Sequence, residues 1–372
     1  RKTGLCYKKL GDYQNAWQTY QDYIIDNPRS SMRIQTGQET AVLSGLLPLG
    51  NGQITTSARL TGRNVNNNGY PTYYSLSSIL GGGYEAITVV PMEESTEDGT
   101  VSEVPGLFMS QENTHPLSGS ALWQEISSAQ DYFAASTASA AAATTEYSIL
   151  SNKGDQRINY YIREIQEEED EFEVMTKFVQ NTRIEGTQQT YSIRQLVLYR
   201  RALVYLRAAE ALNCLAEQQH DGEKAVQAFS ILRDGFDILF SPDGPYYQYG
   251  QINKASIQPY ALGVHARGCG SVYLDTANYV VKDVVIAEFY KKEVEDVNFA
   301  DTIHYVEDRI CDELALETTF EGNRFTDLIR FAERRGADYL AGKVACRKGT
   351  ENRDEALYQK LLNKSNWYLP LK

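Results

Sequence analysis

The segment from Val306 to Arg330 carries a dense set of side chains that could do chemistry. Its carboxylates and guanidiniums stand at Glu313, Glu321, Arg324, Asp327 and Arg330. Two carboxylates across a cleft can hydrolyse a glycosidic bond, but charges on adjoining helices more often form structural pairs. A guanidinium can bind a carboxylate through two parallel hydrogen bonds. We therefore predict that Arg324 bonds to Glu313 or Glu321 and stabilises the fold, and we assign no catalytic residue.

The elements that hold these charges are predicted to be two helices joined by a turn. Apolar side chains recur at the three- and four-residue spacing of a buried helix face, at Ile310, Leu314, Phe325, Leu328 and Phe331. Gly322 lies between the two groups, and glycine reaches backbone angles that other residues avoid. The sequence therefore predicts that one helix stops near Gly322 and that the next begins there.

The same segment resembles the C-terminal signature of the SusD/RagB family, in which an Arg-x-x-Glu-Leu-Ala helix precedes Phe-Glu-Gly-x-Arg and an aromatic-x-Asp-Leu-x-Arg helix. The matching residues are Arg309, Glu313, Leu314, Ala315, Phe320, Glu321, Gly322, Asn323, Arg324, Phe325, Asp327, Leu328 and Arg330. Residues 198–213, LYRRALVYLRAAEALN, resemble the family's Arg-rich helix, and residues 366–371, NWYLPL, resemble its C-terminal closure. The three motifs follow the family's order and lie in the C-terminal half of the chain.

The resemblance implies a mainly α-helical fold, with a tetratricopeptide-like scaffold and a loop-rich, partly irregular ligand-binding subdomain. SusD-like proteins capture nutrients at the outer surface of the cell and deliver them to a SusC-like TonB-dependent transporter in the outer membrane. SusD-like members take sugars and RagB-like members take peptides, and the matched motifs do not distinguish the two. The resemblance implies no cofactor and no catalysis. It implies membrane contact only through an N-terminal lipid anchor absent from this chain, which looks truncated.

Two stretches carry the pattern of paired tetratricopeptide helices. From Gly4 to Pro28, small, aromatic and turn residues stand at the repeat's positions, with Gly11 in the turn and the proline unable to continue the second helix. Residues 198–240 predict a second pair, in which QQHDGE forms the turn. The second helix of that pair buries Ala225, Phe229 and Leu232. Helical pairs are therefore expected on both sides of a long middle region.

The middle region, residues 37–190, has a different composition from the helical parts. Gly, Asn, Ser, Thr and Tyr dominate residues 37–120, which carry many turn signals. The stretch ISSAQDYFAAS regains helical spacing, and Ala134 to Thr145 is predicted as a short helix with a loose end. Residues 164–179 predict an exposed strand or hairpin with an acidic turn, which lacks the alternating oxygen ligands of a calcium loop.

These differences divide the chain into three parts. We expect a tetratricopeptide-like helix pair at 1–36, a loop-rich region that holds the ligand site at 37–190, and a helical region at 191–372.

Ligand contacts are predicted on aromatic loops that a rigid scaffold carries. The chain has 26 Tyr against 3 Trp, and a tyrosine offers a flat ring together with a hydroxyl. The first cluster, NNNGYPTYY, suits stacking on sugar rings and consists of Asn66, Asn67, Asn68, Tyr70, Tyr73 and Tyr74. The second, PYYQY, consists of Tyr246, Tyr247 and Tyr249, and Trp123 in an amphipathic helix is a third candidate. Packing of these rings against the scaffold is the alternative for each cluster.

Composition argues against several other classes of function. The net charge of −13 argues against a nucleic-acid partner, because phosphates require a basic face. The five Cys form no CxxC pair and the four His form no HxxxH or HxH group, so we predict neither a metal site nor a disulfide framework. No stretch is long and apolar enough to span a membrane as a helix.

Three functions stay open, of which capture of a nutrient oligomer is preferred. A glycan is favoured over a peptide because Tyr and Asn cluster together, although the acidic net charge would tolerate cationic peptides. A tetratricopeptide adaptor for protein partners would show a regular period of about 34 residues throughout, which the middle region lacks. An enzyme such as a glycoside hydrolase would need a pair of carboxylates across a cleft, and the chain carries no recognisable catalytic motif.

Overall fold

The computed structural model describes the helical parts of the chain and several short strands. The described residues are 2–26, 63–65, 71–73, 86–91, 119–129, 132–136, 146–150, 162–167, 170–175, 195–233, 264 and 279–368. The α-helices of these residues are α1 (Lys2–Lys9), α2 (Tyr13–Asp26), α3 (Ala121–Ser128), α4 (Arg201–Gln219), α5 (Gly222–Arg233), α6 (Asp283–Tyr290), α7 (Phe299–Glu317), α8 (Arg324–Arg335), α9 (Ala337–Ala345) and α10 (Glu355–Leu361). The predicted mainly α-helical fold is therefore confirmed.

The described strands are short and pair in twos. They are β1 (Arg63–Val65), β2 (Pro71–Tyr73), β3 (Ala86–Pro91), β4 (Tyr132–Ser136), β5 (Glu146–Leu150), β6 (Ile162–Glu167), β7 (Asp170–Met175) and β8 (Gln195–Arg200). The pairs are β1 with β2, β3 with β8, β4 with β5 and β6 with β7, and all are antiparallel.

The N-terminal helices α1 and α2 form the predicted pair. Gly11 turns the chain between them with a φ of +76°, a conformation that glycine adopts without strain. Gly4 of α1 lies so close to Tyr20 of α2 that an added Cβ would come within 3.0 Å of the ring. The helix-pair prediction is thus confirmed, whereas Pro28 lies outside the described residues.

α4 and α5 form the second predicted pair, packed against α2 and α7. At the end of α4, His220 adopts a left-handed conformation and the Asp221 main-chain nitrogen donates to the Ala216 oxygen at 2.9 Å. The Asp221 carboxylate then accepts from the Glu223 nitrogen at 3.1 Å and caps the start of α5. The predicted turn is confirmed, and so is the burial of Ala225, Phe229 and Leu232.

Residues 198–200 form part of a strand, so the helix predicted to begin at residue 198 is wrong over its first three positions. β8 pairs with β3, and α4 begins only at Arg201. Arg200 has extended backbone angles, with φ of −142° and ψ of 169°. Helical spacing runs unbroken through this stretch, but the distant strand β3 supplies the backbone partners that decide its conformation.

The remaining strand pairs test the predictions for the middle region. β6 and β7 confirm the hairpin predicted for the acidic stretch, with Glu167 opposite Asp170. The helix predicted from Ala134 is wrong over residues 134–136, which pair in β4 with β5, while residues 137–145 lie outside the described residues. Helical structure in ISSAQDYFAAS likewise ends at Ser128. The residue types alone do not select a strand or a helix here, so pairing with β5 determines the conformation of these residues.

α7 and α8 form the centre of the C-terminal core. α7 begins with a capping box in which Asn298 and Asp301 exchange side-chain bonds with each other's backbone. Four of the predicted apolar positions are buried, namely Ile310, Leu314, Leu328 and Phe331. Phe325 is 39% exposed, so its predicted burial is wrong. It stands one residue into α8, on the face turned away from the core.

The turn between α7 and α8 lies where the sequence predicts it. Gly322 has a φ of +78°, and Phe320 has a φ of +62°, which is uncommon for a bulky side chain. The Glu321 main-chain nitrogen donates to the Thr318 oxygen at 3.0 Å. The glycine prediction is therefore confirmed.

The C-terminal residues fold back onto α10. The indole nitrogen of Trp367 donates to the Leu361 oxygen at 2.7 Å, and the Asn366 side chain donates to the Lys360 oxygen at 2.7 Å. Residues 369–372 lie outside the described residues. Within the described ranges, no helix has both the length and the apolar character needed to cross a membrane.

Candidate functional site

A large group of ionisable side chains surrounds the carboxylate of Glu210 on α4. Its Oε1 lies 2.5 Å from Lys8 Nζ of α1 and 2.8 Å from Arg330 Nε of α8. Arg334 Nη2 lies 3.2 Å from the same oxygen, and Arg207 Nη1 lies 3.2 Å from Oε2. One carboxylate therefore holds four cations from three helices.

Asp327 of α8 is the second carboxylate of this group. Its Oδ1 lies 2.5 Å from Arg207 Nη2 and 2.9 Å from Arg330 Nη1, and its side chain is completely buried. The shared arginines thereby join α4 to α8. We call this group the Glu210 cluster; it consists of Lys8, Arg207, Glu210, Asp327, Arg330 and Arg334.

The charges continue from the Glu210 cluster onto α7. Arg334 also forms an ion pair with Glu307, and Arg335 Nη1 lies 3.2 Å from Glu307 Oε2. Asp308, the residue after Glu307, accepts a hydrogen bond from the Tyr339 hydroxyl of α9 at 2.7 Å. These contacts fasten α7 to α8 and α9.

Burial and neighbouring charges together set the protonation of the Glu210 cluster. Burial favours a raised pKa for Glu210, but Lys8, Arg334 and Arg207 outweigh burial and hold that pKa below its usual value. For Asp327 burial outweighs Arg207, so its pKa is raised. Because these carboxylates are buried against cations, the arrangement suits the joining of helices better than acid–base catalysis.

A second buried ion site surrounds Arg200, at the junction of β8 and α4. Nη1 lies 2.6 Å from Glu317 Oε1, and Nη2 lies 2.9 Å from Glu321 Oε1. Nη2 also donates to the Glu317 main-chain oxygen at 2.7 Å, and the residue is only 2% exposed. The Arg200 site, defined as Arg200, Glu317 and Glu321, ties the start of α4 to the C-terminal end of α7.

Arg324 has a different partner from the predicted one. Its Nη1 donates to the main-chain oxygen of Cys311 on α7 at 2.8 Å. Glu321 binds Arg200 instead, and Glu313 lies buried on α7. The predicted pairing of Arg324 with Glu313 or Glu321 is therefore wrong, because the turn at Gly322 brings Glu321 to the start of α4. Arg324 nevertheless joins α8 to α7.

The sequence interpretation missed the roles of Arg200, Arg207 and Glu210. All three stand in the segment LYRRALVYLRAAEALN, which was recognised only as a helix. Charged side chains in an otherwise apolar segment need buried partners, and that requirement was the available signal.

Trp123 is the ligand candidate whose side chain the structure describes. It is 7% exposed on α3, and its ring lies edge-on to Phe320 with 6.3 Å between centroids. Glu125, on the same helix, accepts from the main-chain nitrogen of Thr350 at 3.1 Å and docks α3 on the C-terminal core. This environment is one of helix packing, and a ligand contact by Trp123 stays a prediction.

The other ligand candidates are located only in part. Tyr73 ends β2 and stands opposite Arg63 of β1. The candidates that lie outside the described residues are Asn66, Asn67, Asn68, Tyr70, Tyr74, Tyr246, Tyr247 and Tyr249. Whether they come together in one site stays a prediction.

The described residues offer no group of His, Cys, Asp or Glu suited to a metal ion. Cys214, Cys311 and Cys346 are free thiols, and burial raises the pKa of Cys214 from 9.0 to about 12. Reactivity requires the thiolate, so this buried thiol is unsuited to nucleophilic chemistry.

Comparison with known proteins identifies a family. Residues 123–371 match the SusD family, a range that includes most of α3, the Arg200 site and all of the Glu210 cluster except Lys8. No curated protein and no solved structure matched the chain. Because the family match covers about two thirds of its length, the chain belongs to the SusD family.

Proposed function

We propose that this protein binds a nutrient oligomer at the cell surface, preferably a glycan, and delivers it to a SusC-like TonB-dependent transporter. The match of residues 123–371 to the SusD family carries this proposal, because members of that family bind nutrients and are not enzymes. In this proposal a lipid anchor holds the protein at the outer membrane, as is typical of the family.

The two buried ion sites support a binding function. The Arg200 site fixes the start of α4 against α7, and the Glu210 cluster fixes α4 against α8. A scaffold held in this way can carry binding loops with little loss of entropy on association. The carboxylates of both sites are engaged by cations, which supports binding over hydrolysis.

The ligand site is proposed in the aromatic clusters of the sequence. Tyr70, Tyr73 and Tyr74 offer stacking faces beside three asparagine amides, and β1 and β2 pair on either side of residues 66–70. Tyr246, Tyr247 and Tyr249 form the second proposed contact set. Sugar rings stack on aromatic faces while their hydroxyls bond to amides, so the first cluster favours a glycan.

The decisive experiment replaces Tyr70, Tyr73 and Tyr74 together by Ala and measures binding by calorimetry against panels of oligosaccharides and peptides. Each lost ring removes about 0.5–1.5 kcal/mol beyond its buried area, so the affinity should fall at least about tenfold. Replacement of the same three residues by Phe is the matched control, because it keeps the rings and removes only the hydroxyls. Circular dichroism checks that every variant is folded.

The outcomes of this experiment separate the alternatives. Unchanged affinity in a folded Ala variant would move the site to Tyr246, Tyr247 and Tyr249, which are replaced next. Binding of peptides alone would favour the RagB-like alternative, and binding of neither panel would favour a tetratricopeptide adaptor for protein partners. Steady release of product from a panel member would contradict a purely binding function.

A further inference from the structure

The four cations around Glu210 are not chemically equivalent. Arg207, Arg330 and Arg334 carry guanidiniums, which keep their charge at any pH at which the protein is folded. Lys8 carries an amine, which can release its proton when its surroundings disfavour the charge. Among these four cations, Lys8 alone can therefore respond to pH.

The geometry disfavours the charged form of Lys8. Its side chain is 2% exposed, and Glu210 is its ion-pair partner in the part of the chain that the structure describes. The Glu210 oxygen that faces Lys8 is shared with Arg330 at 2.8 Å and with Arg334 at 3.2 Å. The amine is therefore desolvated, and its compensation is one carboxylate oxygen that two guanidiniums also contact. The positive charges of those guanidiniums further disfavour a charged amine.

Lys8 also links the N-terminal helix α1 to the helices of the C-terminal core. α1 packs on α2, and α2 packs on α4, whereas Lys8 connects α1 directly to α4 and α8 through Glu210. We propose that Lys8 is a pH-operated latch, which holds α1 on the α4–α8 core more tightly once its amine has lost its proton. The chain thereby carries a device that loosens its N-terminal helix at neutral pH and fastens it under alkaline conditions.

The other groups around the amine do not titrate in the same range. Burial raises the pKa of Cys214 on α4 to about 12, and burial also raises the pKa of Tyr13 at the start of α2. Glu210 stays ionised because Lys8, Arg334 and Arg207 overcome the effect of its burial and hold its pKa low. The remaining charges facing the amine are the guanidiniums of α4 and α8 and the ion pair of Arg334 with Glu307 on α7.

The direction of the effect follows from linkage. Burial, only partly offset by Glu210, lowers the pKa of Lys8 from 10.5 to about 8 when α1 is docked. Between these two values the undocked state binds more protons than the docked state, so docking strengthens as pH rises. Below the lower value both states are protonated, and the strength of docking no longer depends on this group.

The test is amide hydrogen exchange of α1 in the full chain, with rates corrected for the intrinsic effect of pH. Protection of α1 amides should rise about 30-fold between about pH 7 and about pH 9.5, because docking changes little below about pH 8 and strengthens nearly tenfold per pH unit above it. Amides of α4 serve as the internal reference, and their protection should be the same at the two pH values. A parallel change in α4 would mean global unfolding and would overturn the latch.

Two variants assign the effect to the amine. Lys8→Met removes the titrating group, so its α1 protection should not rise with pH. Lys8→Arg keeps a permanent cation, so its α1 protection should stay low throughout, and this variant carries the test if Lys8→Met does not fold. A rise in either variant equal to that of the wild type would contradict the proposal, as would a wild type whose α1 protection does not change.

Discussion

The Arg200 site and the Glu210 cluster both anchor α4, but carboxylates outnumber cations in the first and cations outnumber carboxylates in the second. In the Arg200 site, one guanidinium serves the carboxylates of Glu317 and Glu321. In the Glu210 cluster, two carboxylates face four cations, and Glu210 contacts all four of them, namely Lys8 and three arginines. The residue of the minority charge, Arg200 in the first site and Glu210 in the second, compensates several charges of the opposite sign. Its removal leaves those buried charges without that compensation. The minority residue should therefore dominate the stability of each site.

The two sites also differ in how they can recover from such a loss. A buried carboxylate without its cation can take up a proton and become neutral. A buried guanidinium cannot lose its charge at any pH relevant to the folded protein. Loss of the minority anion should therefore be harder to relieve than loss of the minority cation.

The largest effect is expected for Glu210→Gln, which keeps the shape of the side chain and removes its charge. Four cations lose their shared anion, so the free energy of unfolding should fall by about 3–5 kcal/mol in urea denaturation. Glu217→Gln in the exposed last turn of the same helix is the control and should change stability by less than about 0.5 kcal/mol. Equal effects of the two variants would refute the idea that Glu210 holds the cluster together.

Arg200→Gln should have the next largest effect, about 3 kcal/mol near pH 7. The deficit should shrink as the pH is lowered towards about 5, because a buried carboxylate that loses a cation partner can take up a proton and become neutral. The deficit of Glu210→Gln should not be relieved by protonation of its partners over the same range. A common pH profile for the two variants would contradict the distinction between the sites.

Arg347→Gln is a suitable control for that experiment. Arg347 forms an ion pair with Asp354 at 3.1 Å, but its side chain is 48% exposed. Exposed pairs of this kind contribute about 0–1 kcal/mol, so the variant should resemble the wild type at both pH values. A deficit as large as that of Arg200→Gln would show that burial is not the deciding factor.

The comparison also explains which parts of the structure the sequence could predict. The two helix pairs and the turn at Gly322 follow from local spacing and from backbone angles that glycine favours, and both are confirmed. The strand over residues 198–200 could not be predicted in this way, because its partner β3 is distant in sequence. The pairing of β4 with β5 was also not predicted, because their residue types do not select a strand without a partner strand.

Ion-pair partners were beyond the reach of local spacing. The charged positions of α8 were recognised, yet Asp327 pairs with Arg207 and Arg330 pairs with Glu210, both on α4. Such partners depend on how helices cross, which periodicity along a single helix does not determine. For the ligand residues, the aromatic clusters remain predictions based on residue type.

Arg324 lies between the two sites in character, and it should give the smallest of the three effects. Its Nη1 donates to the Cys311 main-chain oxygen of α7 and not to a carboxylate. That oxygen lies inside the helix, where carbonyls also take part in the backbone hydrogen bonds. Arg324→Ala should therefore lower the free energy of unfolding by about 1.5 kcal/mol, the contribution of one charge-assisted hydrogen bond. The affinity of the folded variant for its ligand should equal that of the wild type in calorimetry. Arg353→Ala, which removes an exposed pair with Glu355, is the matched control. Lost binding with unchanged stability would place Arg324 in the ligand site and end its structural assignment.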